Sequence, residues 1–212
     1  MQLKIFEIFY SLQGESSRVG LPTIFIRLSG CPMRCHYCDT AYAFQGGSMM
    51  NIEDIMGSIK KYDTRFVTVT GGEPLAQKEV LNLLKALADR DYEVSLETGG
   101  GLSIKEVDPR IKIILDIKTP ESGEEKKNDW ENLTLIHLKD EIKFVLCSRE
   151  DYEWAKKILE QYNLTKKCSV LFSPVYQVLD ATDLGNWILK DQLPVRMQIQ
   201  LHKFLWGEKQ GV

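Results

Sequence analysis

A single α/β domain, with parallel strands inside and helices outside, is the fold class this sequence predicts. Three observations predict it. Short apolar runs, most of them four to six residues long, recur along the chain. Stretches with apolar residues at helical spacing separate them, and polar or glycine-rich segments follow the runs. The 212 residues, 43% of them hydrophobic, suffice for one domain with a substantial core.

Residues 4–12 read as an extra strand or an extended lead-in. The runs at 23–28, 66–70, 93–97, 111–116, 142–146, 169–172 and 195–199 are rich in Val, Ile, Leu and Phe, as strands buried on both faces are. Helical spacing marks 52–62, 79–90, 150–162 and 181–190; in the second of these Val80, Leu83, Leu84, Leu87 and Ala88 share one face. Alternating strand and helix implies right-handed βαβ units. All the carboxyl ends of such strands lie on one side, where barrel-like enzymes build their sites. There the chain places Ser29-Gly30 and the loop beyond it, then Gly71-Gly72-Glu73-Pro74, Glu97-Thr98-Gly99-Gly100 and Asp116-Ile117-Lys118. Cys147-Ser148, Ser173-Pro174-Val175 and Gln200-Leu201-His202-Lys203 follow the later runs.

Composition narrows the function classes. A net charge of −3 gives no reason to expect a nucleic-acid surface. No apolar stretch approaches the ~20 residues of a membrane span, and the first residues lack a signal-peptide core. An odd count of five cysteines, three of them crowded together, argues against a disulfide framework and for a reducing, cytoplasmic setting. Cys147 and Cys168 lie in or beside apolar runs and read as small core residues. Residues 121–132 are strongly charged and read as an exposed excursion. No internal repeat or linker divides the single domain.

The chemistry concentrates at Cys31, Cys35 and Cys38, spaced CxxxCxxC in a loop spanning 29–40. A structural zinc takes four protein ligands, and a zinc knuckle here would have to recruit His36 from within the same tight loop. A four-iron cluster held by three thiolates keeps one iron open for something that is not protein. With Tyr37 just before the last cysteine, the motif resembles that of the radical S-adenosylmethionine (SAM) enzymes. Gly71-Gly72-Glu73-Pro74 is similar to the superfamily's GGEP element, and Glu97-Thr98-Gly99-Gly100 to its ETxG segment.

A narrower resemblance is to the 7-carboxy-7-deazaguanine synthases. It rests on Phe9-Tyr10-Ser11-Leu12-Gln13-Gly14-Glu15, Arg27, Cys38-Asp39-Thr40, Asp116-Ile117-Lys118 and Gln200-Leu201-His202-Lys203, and on a short chain ending in Gly-Val. It implies an incomplete TIM-like barrel of the radical SAM type. It also implies conversion of 6-carboxy-5,6,7,8-tetrahydropterin to 7-carboxy-7-deazaguanine with loss of ammonia, in 7-deazapurine and queuosine biosynthesis. The implied cofactors are a [4Fe–4S] cluster on Cys31, Cys35 and Cys38, SAM, and Mg²⁺ on Thr40, with Asp39 second. SAM contacts would come from Tyr37, Cys38, Asp39, Gly71, Gly72, Glu73, Gly100, Lys118 and Ser148. Pterin contacts would come from Leu12, Gln13, Gly14, Glu15, Arg27, Thr98, His202 and Val212, the last two in a closing segment at 198–212. A flavodoxin or ferredoxin donor and a homodimer belong to the same implication.

Simpler readings stand beside several of these. Gln13-Gly14-Glu15 also reads as a plain turn, and Arg27 pairs either with a substrate carboxylate or with a nearby acid. Asp39-Thr40 makes local side-chain bonds in many turns, and His202 fits a packing role at the last strand. Two rival functions share the cysteine motif in part: an activating enzyme that makes a glycyl radical on a partner protein, and a non-catalytic metal or electron-transfer module.

Overall fold

The structure, a computed structural model, describes residues 2–212. In chain order the elements are β1 (Gln2–Leu12), β2 (Pro22–Leu28), β3 (Ser48–Asn51), α1 (Ile52–Ile59), β4 (Phe66–Gly71), α2 (Val80–Ala88), β5 (Glu93–Thr98) and β6 (Lys112–Ile117). They continue with α3 (Asn132–Leu135), β7 (Glu141–Leu146), α4 (Arg149–Gln161), β8 (Ser169–Pro174), α5 (Ala181–Asp191), β9 (Arg196–Met197) and α6 (Leu201–Trp206). One open sheet runs in the order β3-β1-β2-β4-β5-β6-β7-β8-β9. From β2 to β9 every neighbouring pair is parallel, as an incomplete barrel requires.

The opening segment is a strand. It pairs antiparallel with β2, because the short loop between them cannot make the crossover of a dozen or more residues that a parallel neighbour needs. β3 pairs antiparallel with its outer edge. Side-chain caps set three helix starts: Asn51 accepts from Asp54 N, Ser148 from Asp151 N and Asp180 from Thr182 N.

Along the parallel strands, alternate residues divide two environments. Val67, Val69, Val94, Leu96, Ile113, Leu115, Ile142 and Phe144 are buried in two hydrophobic clusters under the helices. The residues between them face the concave side and are largely polar: Thr68, Thr70, Ser95, Glu97, Asp116 and Lys143. The strands are therefore apolar on one face, not on both. The loop after β1 crosses the concave side. Gln13 Nε2 donates to Thr68 Oγ1 on β4 (3.1 Å), Glu15 pairs with Lys143 on β7 (2.6 Å), and Ser17 N donates to Glu141 (3.1 Å).

Three expectations are corrected here. The last run, 195–199, shrinks to Arg196–Met197, an edge strand beside an exposed Ile199, in keeping with the short edges that sheets tolerate. Residues 121–132 are not a free excursion. Ser122, Glu124 and Asn132 are buried, and the segment braces the cysteine loop: His36 N donates to Ser122 O (3.0 Å), Arg34 N to Glu124 Oε1 (2.6 Å) and Lys127 Nζ to Pro32 O (2.8 Å). The charges are there to satisfy loop backbone, not to solvate a tip. Cys168 is in the core, but Cys147 is only half-buried. Burial, then Asp151 and Glu121, push the Cys147 thiol up to about 12.

Candidate active site

The concave face holds a cavity of about 480 Å³, within the range of small-molecule sites. Cys31, Cys35 and Cys38 line it from the loop after β2. Burial raises all three thiols above the ordinary cysteine value, so metal binding there releases protons. Among the described residues, no three ligand atoms of this loop lie within 4.8 Å of one another. A tetrahedral zinc, with Zn–S of about 2.3 Å, would need its sulfurs about 3.8 Å apart. His36 is also occupied elsewhere, its Nδ1 3.1 Å from Glu121 O. The triad fits a cluster wider than a single ion. The set that does converge, Glu121, Cys147 and Asp151, lies outside the cavity, and Asp151 already accepts from Thr119, Glu121 N and Cys147 N.

Gly71 and Gly72 lie where β4 passes the start of this loop. A Cβ on Gly72 would stand 2.3 Å from Gly30 O and 2.7 Å from the Cβ of Cys31. Both are backbone-fixed, so Gly72→Ala has to move the first cluster ligand. We expect it to destabilise the fold by about 1–3 kcal/mol and to lower iron content after anaerobic reconstitution; full iron loading would show that this contact gives way harmlessly.

Glu73 does not face the cavity. Its carboxylate accepts from Leu75 N (3.0 Å), Gly99 N (2.8 Å) and Thr98 Oγ1 (2.9 Å), tying β4 to β5 beneath the glycines. Burial raises this carboxyl, and those bonds offset the rise only in part. The structure thus places the Glu73 carboxylate in a buttress behind the cavity wall, and it is Gly71, Gly72 and Gly99 that line the cavity. Ser148 and Gly100 are also outside it. Ser148 caps α4, and Gly100, at φ +73°, packs against Leu115.

Tyr37 lines the cavity and donates to Val145 O (3.3 Å); burial raises its hydroxyl. Lys118 pairs with Asp116 Oδ2 at 3.0 Å, and although burial alone would lower it, the Asp116 carboxylate keeps it cationic. The other oxygen, Asp116 Oδ1, is buried at the cavity wall without a hydrogen-bond partner among the described residues. Buried polar atoms are rarely left so, and this one fits a donor-bearing ligand such as SAM.

The expected pterin residues gather on the other side. Arg27 is held by its Nε edge, 2.8 Å from Glu7 Oε1, which also accepts from Tyr42 OH (3.1 Å). Its guanidinium lies over the Phe9 and Tyr42 rings and lines the cavity. Both readings of Arg27 are thus compatible, since the acid takes one edge only. Gln13 is used internally, donating to Thr68 and Glu97 (3.3 Å) and accepting from Glu15 N (3.1 Å). Glu15 takes Lys143 on Oε2 and Gln200 Nε2 on Oε1 (2.8 Å). Asp39 accepts from Thr40 Oγ1 (2.8 Å) and from Gln200 Nε2 (3.1 Å). Leu12, Gly14, Thr98, His202 and Val212 line the same space. The His202 ring lies so close to Gly14 that a Cβ there would be 2.0 Å from Nδ1; burial lowers this imidazole, outweighing Glu15 and Asp39.

Sequence reasoning missed Glu7, Tyr42, Glu97 and Lys143 as members of this cluster, and gave Asp116 and Gln200 no role. The available signal was a charge in the middle of an apolar strand: Glu97 and Lys143 interrupt their runs at inward positions.

Comparison with known proteins agrees with this geometry. The profile of the Radical SAM superfamily matches residues 25–171. The 7-carboxy-7-deazaguanine synthase of Chlorobaculum tepidum is 48% identical over 97% of this chain and 94% of the relative. That of Koribacter versatilis is 41% identical over 99% and 100%. Among solved structures, QueE from Escherichia coli superposes with a TM-score of 0.77 at 26% identity over 94% of each chain. SuiB of Streptococcus suis bound to S-adenosylmethionine shares the fold alone, with a TM-score of 0.55 at 15% identity over 80% of this chain and 45% of that one. A cysteine triad in a partial barrel, matched nearly end to end by these relatives, places the chain in the 7-carboxy-7-deazaguanine synthase family of the radical SAM superfamily.

Proposed function

We propose that the protein converts 6-carboxy-5,6,7,8-tetrahydropterin to 7-carboxy-7-deazaguanine with loss of ammonia, in the biosynthesis of queuosine and other 7-deazapurines. One observation carries this reading: Arg27, pinned by Glu7 along a single edge, shares a cavity with the three cysteines. A guanidinium with its second edge toward a polar cavity matches a carboxylate, as the pterin carries. A four-iron cluster on these cysteines and SAM beside it, once bound, would supply radical abstraction of hydrogen from a substrate carbon.

The remaining work falls to residues of the chain. Cys31, Cys35 and Cys38 hold the cluster. Backbone at Gly71 and Gly72, the Tyr37 ring, Lys118 and the unpartnered Asp116 oxygen supply contacts for SAM. Glu15 and the peptide groups of Leu12 to Gly14 read the pyrimidine edge, where an unpaired group penalises a wrong ligand. Thr98, His202 and Val212 close around it, with His202 neutral at pH 7. Asp39 and Thr40 would hold Mg²⁺ through hard oxygen donors, its shell completed by water and substrate oxygens. Orientation of a fixed substrate is the main contribution of such a site. A flavodoxin or ferredoxin donor, a homodimer and a cytoplasmic setting accompany this reading. No helix among the described residues is long and apolar enough to cross a membrane.

The test is product analysis after anaerobic incubation with iron, sulfide, SAM, reductant, magnesium and the carboxy-tetrahydropterin. Formation of 7-carboxy-7-deazaguanine supports the proposal; 5′-deoxyadenosine without any deazapurine sinks the substrate assignment. Arg27→Ala should lower kcat/KM for the pterin by about 30-fold or more, the ~2 kcal/mol at the low end for truncating one partner of a desolvated charge pair. Thr40→Ala should act on the same step, with cluster content unchanged in both. If Thr40→Ala lost the cluster yet kept its magnesium response, the metal assignment would be wrong.

A further inference from the structure

Gln200 occupies the turn from β9 into α6, and its side-chain nitrogen reaches two carboxylates. It donates to Glu15 Oε1 at 2.8 Å and to Asp39 Oδ2 at 3.1 Å. The two acids come from separate parts of the fold, Glu15 from the loop after β1 and Asp39 from the cysteine loop. Each is held on its far side by a different group: Glu15 by Lys143 Nζ (2.6 Å), Asp39 by Thr40 Oγ1 (2.8 Å). A continuous hydrogen-bonded chain thus runs Lys143–Glu15–Gln200–Asp39–Thr40, with Gln200 as its central link.

The residue type suits the place. The –NH₂ of a primary amide is a planar pair of donors, able to serve one acceptor on each N–H. It carries no charge, so it joins two anions without becoming an ion-pair partner that either could monopolise. Other bonds fasten the same stretch of chain to the loop after β1: Leu201 N donates to Gly14 O (3.0 Å) and Gln198 Oε1 accepts from Ser16 N (2.9 Å). Those bonds stop at that loop. The Gln200 amide continues to the cysteine loop.

We propose that Gln200 is a positioning residue that fixes Glu15 and the Asp39–Thr40 pair in one relative geometry, so that pterin recognition and magnesium binding are set together. This rests on the roles given above to Glu15, Asp39 and Thr40. Removing the amide leaves both carboxylates facing each other without a shared donor, and each loop then relaxes separately.

The experiment compares Gln200→Leu with wild type, and uses Gln200→Ala should the leucine protein not fold. In the protein without added metal or ligand, amide hydrogen exchange should rise in both 12–17 and 36–42. In the reconstituted enzyme, KM for the carboxy-tetrahydropterin should rise about tenfold, the effect of losing one hydrogen bond to a charged group. The magnesium half-saturation point should rise with it, while iron content stays at the wild-type value. Exchange that rises only within 198–206, or a KM that stays unchanged while the melting temperature falls, would overturn the proposal and leave Gln200 as a peg for α6. If the wild-type enzyme does not turn over the pterin at all, the substrate reading fails, and the exchange comparison still decides whether Gln200 joins the two loops.

Discussion

Alanine in place of Cys31, Cys35 or Cys38, one at a time, will abolish formation of 5′-deoxyadenosine from SAM in anaerobically reconstituted protein. All three thiols come from one eight-residue stretch and line the same cavity. No spare thiol can replace them: Cys168 is in the core, and Cys147 lies beside Asp151, outside the cavity wall. Two thiolates would leave two irons without protein ligands, where the chemistry needs one. The loop itself should survive the change, because its backbone is held independently, by Glu73 N on Gly30 O (2.9 Å) and His36 N on Ser122 O (3.0 Å). Loss of activity should therefore come with near-normal melting. A variant that still cleaves SAM at the wild-type rate would remove that cysteine from the ligand set.

Lys143→Met will lower the stability of the free protein by about 3–5 kcal/mol, the effect of stripping one partner from a buried charge pair. Lys143 is only 13% exposed and stands 2.6 Å from Glu15 and 3.7 Å from Asp116, with Glu97 close by. Burial alone would lower its ammonium, yet Glu15, Asp116 and Glu97 together raise it well above the ordinary lysine value. A raised lysine stabilises the fold fully below its unfolded value of about 10.4 and loses that contribution as pH rises through the folded value. The difference between Lys143→Met and wild type should accordingly be complete at pH 7 and persist to about pH 10. Urea unfolding midpoints at both pH values provide the measurement. A loss under about 1 kcal/mol would mean that the pair is screened like a surface salt bridge. Adding Glu15→Gln to Lys143→Met should recover part of the loss, since the acid is then no longer left unpaired.

Much of the scaffold was legible in the sequence because it depends on local pattern. Four helices begin within one residue of the positions that helical spacing marks, and Asn51, Ser148 and Asp180 fix three of those starts. Six strands of the parallel sheet match their apolar runs closely, since β-branched residues bounded by polar turns announce themselves. The cysteine loop and the glycines at the end of β4 were legible for another reason: their spacing has few alternative uses.

What stayed hidden depends on distance in the fold. That Glu73 turns inward to Thr98 and Gly99 requires knowing how β4 and β5 stack beyond their ends. That the charges of 121–132 support the cysteine loop requires contacts across about 90 positions, as between Arg34 and Glu124. Glu7 could not be assigned to Arg27 while β1 remained undecided between a strand and a lead-in, because the pairing register places them side by side. Lys143 carried a signal that periodicity exposes, a cation amid Ile142, Phe144 and Val145, but its three acids come from three other elements.

The two hydrophobic clusters under the helices have a consequence for cohesion. One gathers β1 to β5 with α1 and α2, the other β6 to β8 with α4 and α5, and the residues they share, Leu75 and Val107, sit at the margin of both. Oily packing thus welds each lobe more firmly than it welds the seam between them. The cavity straddles that seam, with Arg27 and Thr70 on one bank and Asp116 and Lys143 on the other. Whatever fills the cavity therefore also fastens the lobes together, and its binding energy adds to stability where the hydrophobic interior contributes least.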